Sequence, residues 1–422
     1  MDANLVTTLN QSTALSETGS VPVVKRFPWG GLIVLATAVF LSVTAEMIPT
    51  GLLPEMSSGL GVSESQVGLL ISFFAFAVVL TSVPLTFLFR RVPRHLLLMM
   101  VLVVIAISSI VGGLAPNFEV LVVARVLGGM AHGVFWGVVG AYSAHLVPKE
   151  QIGRAVAITT GGGTLAFVLG VPLATTVGHA FGWRAPFIGI GVLALLGAVF
   201  ILLLLPRVDH RKHLEVSTNT AAIRAERRRG PLDPTIPVVA LICILVAVVM
   251  IGNYSFYTYI APFLIGEMGV PEGQIGLLLL VYGAAGAIGV LTAGAVFGKR
   301  PARGLMVALG VTGASVLALA LFAGNPVIAI AAFFVWGVAF GVIPTLLPTQ
   351  LMHEASPAIR DTSSAFYSTA FNAGIGLGAL VGGFFLDAFG LTSLPWIYLS
   401  ALAVGIVLLA VTPALTRRAQ RV

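Results

Sequence analysis

One carboxylate in this 422-residue chain stands clearly inside a long apolar stretch, and it is Glu46. Ser42, Glu46 and Thr50 are spaced four apart, so on a helix they form a single polar stripe. A charged group within a bilayer costs roughly 2.5–3.5 kcal/mol at mid-helix, which makes intramembrane charges the informative ones. The chemistry open to such a carboxylate is to take up and release a proton in each working cycle. The competing reading is a permanent ion pair that only fixes helix packing. Pro49 interrupts the same stretch. Arg125 is the one basic residue buried within a span, and His132 follows two helical turns along the same face, with Gly128 and Gly129 between them. Arg125 and Glu46 both lie toward the same end of their helices and are placed to meet. Arg125 would then pair with Glu46 or bind a solute, against a purely structural role. His132 would relay protons or contact a solute, or else be a neutral core histidine.

Aromatic and amide residues supply the rest of a plausible cavity. One stretch holds Asn253, Tyr254, Phe256, Tyr257, Thr258 and Tyr259; another places Phe333, Trp336 and Phe340 on one helical face; Tyr367 and Asn372 lie in a third. Aromatics at helical spacing are more often packing than ligand contacts. Asn253 and Asn372 are expected to be buried amides, which must find partners. No P-loop, zinc-binding histidine pair or nucleophile motif stands in a sensible context. Neither metal nor cofactor is expected, and the chain reads as a non-enzyme.

The elements that must position these residues follow from composition. The chain is 58% hydrophobic and 9% charged, far from the roughly one quarter charged of an ordinary soluble domain. A spanning helix needs about 20 mostly apolar residues. That ruler predicts helices near 30–53, 65–89, 95–115, 117–146, 153–177 and 184–206. A second set falls near 236–262, 273–297, 303–323, 326–350, 361–388 and 391–413. The expectation is an all-α integral membrane protein of twelve helices in two six-helix halves, 29–206 and 236–414. They are joined by a linker over 207–235 and flanked by tails over 1–28 and 415–422. The first tail is polar and expected to be disordered, and its late, long apolar run argues against a cleaved signal peptide. The single cysteine, Cys243, excludes a disulfide framework and reads as a small packing residue.

Charge placement tests this map. With both termini cytoplasmic, all but Arg125 and Arg184 of the 23 basic residues fall in the tails and inside loops. The positive-inside rule is thereby obeyed. The formal charge of +7 then signals topology and contact with anionic lipid, and no nucleic-acid partner is expected. Repeats agree. Helix 5 carries Gly161, Gly162, Gly163, Gly170 and Gly178; helix 11, six later, carries Gly374, Gly378 and Gly382. Small residues four apart let membrane helices approach closely. The loops after helices 2 and 8 also correspond, with Arg90, Arg91 and Arg94 in one and Lys299, Arg300 and Arg303 in the other.

These features resemble the major facilitator superfamily over about Trp29 to Ala414. Several stretches resemble the bacterial sugar efflux transporters of its drug:proton antiporter branch. They are Thr44-Ala45-Glu46-Met47-Ile48-Pro49-Thr50-Gly51 in helix 1 and Arg125-Val126-Leu127-Gly128-Gly129-Met130-Ala131-His132-Gly133-Val134-Phe135-Trp136 in helix 4. Leu169-Gly170-Val171-Pro172-Leu173, Gly182-Trp183-Arg184, Tyr257-Thr258-Tyr259-Ile260 and Phe371-Asn372-Ala373-Gly374 complete the set.

The resemblance implies proton-driven export by alternating access in a bacterial inner membrane, with a cavity lined by helices 1, 4, 7 and 10. It makes Glu46 the coupling acid, with Arg125 and His132 beside it, and Gly170 and Pro172 part of the antiporter motif. Ser42, Thr50, Trp136, Asn253, Tyr257, Trp336 and Asn372 are the expected solute contacts. Function as a monomer is expected. The cargo is a sugar, or alternatively an amphenicol-type drug, a purine or a nucleoside; a channel or membrane enzyme is a remoter reading. The chain departs from the family at the loop after helix 2. Its positions read Thr86, Arg90-Arg91 and Pro93-Arg94, without the usual aspartate, and the acid is also missing near Gly298. An inner gate built on that acid cannot be carried over to Arg90, Arg91 and Arg94.

Overall fold

The computed structural model describes residues 27–205 and 233–419. Nearly all of the 1–28 tail, most of the 207–235 linker and the last residues of the 415–422 tail lie outside the described residues. Among the described residues, twelve helices are long and apolar enough to cross a membrane. They are α1 Trp29–Gly51, α2 Glu64–Arg91, α3 Arg94–Gly113, α4 Phe118–His145, α5 Ile152–Phe181 and α6 Arg184–Leu204, then α7 Ile236–Tyr257, α8 Glu272–Phe297, α9 Pro301–Phe322, α10 Pro326–Glu354, α11 Arg360–Phe389 and α12 Leu391–Thr416. There is no strand among the described residues.

The ranges expected from hydrophobic length hold to within a few residues, with two instructive exceptions. Hydrophobic length alone carries helix 1 to 53 and helix 7 to 262. They stop at Gly51 and Tyr257, and separate short helices follow at Leu53–Leu60 and Ile260–Gly266. Pro54 and Pro262 explain the breaks. Proline has no N–H and is tolerated in the first turn of a helix but not in its interior. A helix restarting just before each proline accommodates both. In α5, a π-helical turn at Ala166–Gly170 directly precedes Val171 and Pro172, with the Val171 N–H reaching back to the Ala166 carbonyl. The widened turn absorbs the hydrogen bond that Pro172 cannot make.

The helix pairings repeat with a shift of six. In the first half α1 packs on α5 and α6, α2 on α4, and α3 on α4 and α6. In the second, α7 packs on α11 and α12, α8 on α10, and α9 on α10 and α12. The glycine stripes seen in the sequence set two of these contacts. A Cβ on Gly162 or Gly170 would strike Ala36 or Thr44 of α1, and one on Gly178 would strike Leu52, just past its end. A Cβ on Gly374, Gly378 or Gly382 would strike the α7 backbone at Ala247, Ile251 or Ser255. Each glycine-bearing helix is therefore the close neighbour of the first helix of its own half.

The halves meet through α2 with α11 and α5 with α8. Ser72 Oγ donates to the Gly376 carbonyl at 2.7 Å, and Ser65 Oγ to Asp387 Oδ2 at 2.7 Å. Gly276 and Gly283 of α8 lie against the α5 backbone at Pro172 and Phe167. All four contacts lie in the helix halves remote from the arginine-rich loops, here termed the far end. Toward the basic end the helices part. Gly161 of α5 and Gly294 of α8 have open space beside them. A cavity of about 590 Å³ opens there between α1, α5 and α8, walled by Ile33, Phe40, Gly161, Leu165, Val290 and Leu291.

Candidate functional site

The site begins with a backbone defect. Pro49 lies inside α1 and has no N–H to give to the carbonyl four residues earlier, that of Ala45. A carbonyl left without a donor in a membrane interior must be satisfied by a neighbour. Arg125 of α4 does this. Its Nη1 donates to the Ala45 carbonyl at 2.7 Å and its Nη2 to the Glu46 carbonyl at 2.6 Å. The guanidinium is 4% exposed and stacks over the Phe74 ring of α2, 4.4 Å from the ring centre. The expectation that Arg125 and Glu46 meet is thus corrected in one respect. The arginine hydrogen-bonds the Glu46 main chain, because the proline-freed carbonyl claims its donors, and the partner of the carboxylate lies elsewhere.

That partner is His132. Its Nε2 lies 3.4 Å from Glu46 Oε2, with both side chains buried. The ring is pinned on three sides. Its Nδ1 is 2.8 Å from Ser42 Oγ, the Trp136 indole N–H donates to Nε2 at 2.7 Å, and the Phe74 ring abuts it edge-on at 5.2 Å. The indole donor assigns the tautomer: Nε2 accepts, so the imidazole proton resides on Nδ1 and points to Ser42. In that state the imidazole offers Glu46 no N–H. Gly129 permits the assembly, because a Cβ there would strike the Phe74 carbonyl and push α4 off α2.

Ser42, Glu46 and Thr50 are all buried on α1, and Thr50 Oγ1 has no hydrogen-bond partner. Trp136 is 39% exposed, so the indole joins His132 to the more open basic side of α4. Gly170 places α5 against Thr44, and Pro172 sits just beyond the π turn. Arg90 and Arg91, in the last turn of α2, are exposed, and Arg94, which opens α3, is half-buried; Arg90 lies over the Phe87 ring at 4.1 Å.

The second half contributes an aromatic wall. Trp336 is fully buried and stacks flat on Phe256, with ring centres 5.1 Å apart and planes within 1°. Tyr282 stacks on Tyr257 at 5.1 Å and on Phe333 at 5.0 Å, and meets Trp336 edge-on at 5.2 Å. Asn253 is 1% exposed, and neither its Oδ1 nor its Nδ2 has a hydrogen-bond partner. Tyr282 Oη and Thr258 Oγ1 are likewise buried and unpaired. Asn372 differs from the expectation. It is half-buried and bonds its own helix, Nδ2 to the Ser368 carbonyl at 2.9 Å, because it lies where α11 has already parted from the first half. Phe74 and Tyr282 carry no signal in the sequence; nothing distinguishes them there from other aromatic residues in apolar runs. Tyr254, in the sequence only one aromatic of its stretch, is buried and meets the Tyr257 ring edge-on at 6.4 Å.

A family model described as Major Facilitator Superfamily matches residues 35–379. The chain belongs to that superfamily. It is a multi-pass membrane transporter. A probable sugar efflux transporter of Mannheimia succiniciproducens is 29% identical over 374 residues, covering 89% of this chain and 91% of the relative. Among solved structures, a D-xylose–proton symporter shares the fold with a TM-score of 0.73 at 15% identity, over 91% of this chain and 97% of that one. A bacterial homologue of the human lysosomal transporter Spinster, in an inward-facing and occupied conformation, aligns with a TM-score of 0.68 at 18% identity over 94% and 97%.

Proposed function

We propose that this transporter exports a small sugar or sugar-like solute in exchange for protons, by alternating access across a bacterial inner membrane. The observation that carries the proposal is the buried Glu46–His132 contact at 3.4 Å beside a guanidinium fixed on the main chain. Glu46 takes a proton when the site faces the more acidic outside and solute leaves. It gives the proton up when the site faces inward and solute binds. Coupling requires only that proton and solute favour opposite states of the cavity. Because Arg125 spends two donors on carbonyls, it supplies a fixed positive field at Glu46 while leaving the carboxyl free to exchange its proton. His132 and Ser42 form the proton's route toward the basic end, and the Trp136 indole, which can only donate, orients the His132 ring.

Basic loops mark the cytoplasmic side by the positive-inside rule, which places both termini inside and makes the parted end the inward opening. Solute then lies between α1 and α4 on one side and Asn253, Tyr257 and Trp336 on the other. The unpaired Asn253 amide suits a hydroxyl-rich cargo, and the sugar efflux relative supports that choice. A second reading, an amphenicol-type drug or nucleoside, draws on the aromatic wall and on the apolar lining of the cavity between α1, α5 and α8. In this reading Thr50 and Asn372 contact the solute from the margins of the site. The protein acts as a monomer and performs no enzymatic step. The test is efflux from proteoliposomes under an imposed pH gradient, with pentoses, thiogalactosides, nucleosides and amphenicols compared side by side. Gradient-accelerated movement of a sugar supports the proposal; gradient-accelerated movement of only a drug or nucleoside selects the second reading; equal flux without a gradient contradicts both.

A further inference from the structure

At the far end a cluster stands apart from the transport site. The short helix Leu53–Leu60 carries Glu55, the last turns of α5 carry His179, and α8 begins at Glu272. One ligand atom from each lies within 4.8 Å of the other two. His179 Nδ1 is 2.7 Å from Glu55 Oε1. The His179 side chain is only 10% exposed, and its Nε2 has no hydrogen-bond partner. Both Glu55 oxygens are shut from solvent, and their close partners among the described residues are the His179 imidazole and the Glu55 main-chain N–H. A largely desolvated carboxylate with so few donors, facing a second carboxylate, is costly unless a cation compensates it.

We propose that Glu55, His179 and Glu272 bind a divalent transition-metal ion, Zn²⁺ being the best fit, and that the bound ion clasps the two halves together. One imidazole and two carboxylates suit zinc, whereas magnesium and calcium prefer all-oxygen shells of six or more ligands. Ligand atoms on a tetrahedral zinc are about 3.4 Å apart, given bonds of roughly 2.1 Å. The 2.7 Å His179–Glu55 pair needs to open slightly, and Glu272, which is exposed, is free to swing inward. Water completes the fourth position.

The consequence follows from which half each ligand belongs to. Glu55 and His179 come from the first half and Glu272 from the second. The three converge only while α5 and α8 are in contact at the far end, as Gly276 against Pro172 shows them to be. An ion that needs all three ligands binds the sealed far end more tightly than the opened one and shifts the population toward it. Zinc in the medium facing that end therefore slows the transport cycle.

The test is zinc titration of the purified, tag-free, full-length protein by calorimetry, with Mg²⁺ as control. Expected is one Zn²⁺ site that Mg²⁺ does not fill. His179→Gln and Glu272→Gln should each weaken it about tenfold or more, since even outer-shell partners of a metal site are worth that much. Glu272→Gln alters an exposed residue and carries the test should His179→Gln fold poorly. Zinc should also protect the start of α8 from hydrogen exchange in the wild type and not in Glu272→Gln. No binding beyond the Mg²⁺ control, or zinc affinity unchanged in both variants, overturns the proposal. Neither readout involves the solute, so a wrong cargo or coupling ion would leave the zinc result unchanged.

Discussion

The two halves of this transporter present the same packing frame with opposite chemistry. In the first, Gly129 and Gly133 of α4 sit against the carbonyls of Phe74 and Val78 on α2. In the second, Gly337 and Gly341 of α10 sit against those of Tyr282 and Gly286 on α8. The match sets Arg125 in correspondence with Phe333, and Phe74 with Tyr282. Arg125 stacks on Phe74 at 4.4 Å in one half; Phe333 stacks on Tyr282 at 5.0 Å in the other. The contacts of Gly162 and Gly170 on α1, and of Gly374 and Gly382 on α7, extend the correspondence. They set Ser42 against Asn253, and Glu46 against Tyr257. A cation on an aromatic ring has become a pair of stacked rings, and a carboxyl has become a phenol. One half keeps the charge; the other keeps a neutral, buried aromatic cluster with unpaired amide atoms. One frame carries two chemistries, which in the proposed function divides the labour between coupling and binding.

Breaking the charged member should cost most. Arg125→Met removes both donors from the Ala45 and Glu46 carbonyls, which have no water to turn to. The expected loss of stability is about 3–5 kcal/mol, read as a fall in melting temperature of the detergent-solubilised protein. Its counterpart Phe333→Met, which strands no polar atom, should lose far less. An equal loss in both would mean that Arg125 is merely packing.

The glycine contacts sharpen the comparison at the next level. Gly382→Ala would drive a Cβ into the Ser255 carbonyl, which belongs to a backbone that cannot yield. A cost of about 1–3 kcal/mol is expected. Gly170→Ala meets the Thr44 hydroxyl, a side-chain atom that turns aside only by giving up its bond to the Phe40 carbonyl, and should cost about 1 kcal/mol. Reversal of that order in thermal melts would show that Gly170 makes the tighter contact.

Trp136→Phe should have the smallest effect. It frees His132 Nε2 from the indole donor, and the pH profile of export should move, with a rate change of about fivefold, the worth of one ordinary hydrogen bond. An unmoved profile would show that the indole does not tune His132.

Much of this is legible in the sequence. Hydrophobic length yields twelve spans, and the singular position of Glu46 marks the site, because burying a charge is costly enough to need a reason. The glycine stripes of helices 5 and 11 are visible too, though not that each faces the first helix of its half. What the sequence hides is how donors are shared out. Arg125 and Glu46 look like an ion pair until Pro49 is seen to free the Ala45 carbonyl, and that competition exists only once α1 and α4 are side by side. Asn372 reads as a buried amide because a hydropathy ruler does not reveal where two halves part. The cluster of Glu55, His179 and Glu272 draws on three separate segments, and no spacing rule connects them.

The central claim is that Glu46 couples solute movement to protons while the second half does the binding. Glu46→Gln, reconstituted in proteoliposomes, separates these roles in one measurement. Solute counterflow at equal pH should persist near the wild-type level, and acceleration of export by an imposed pH gradient should vanish. Export that remains fully gradient-dependent in Glu46→Gln would contradict the account.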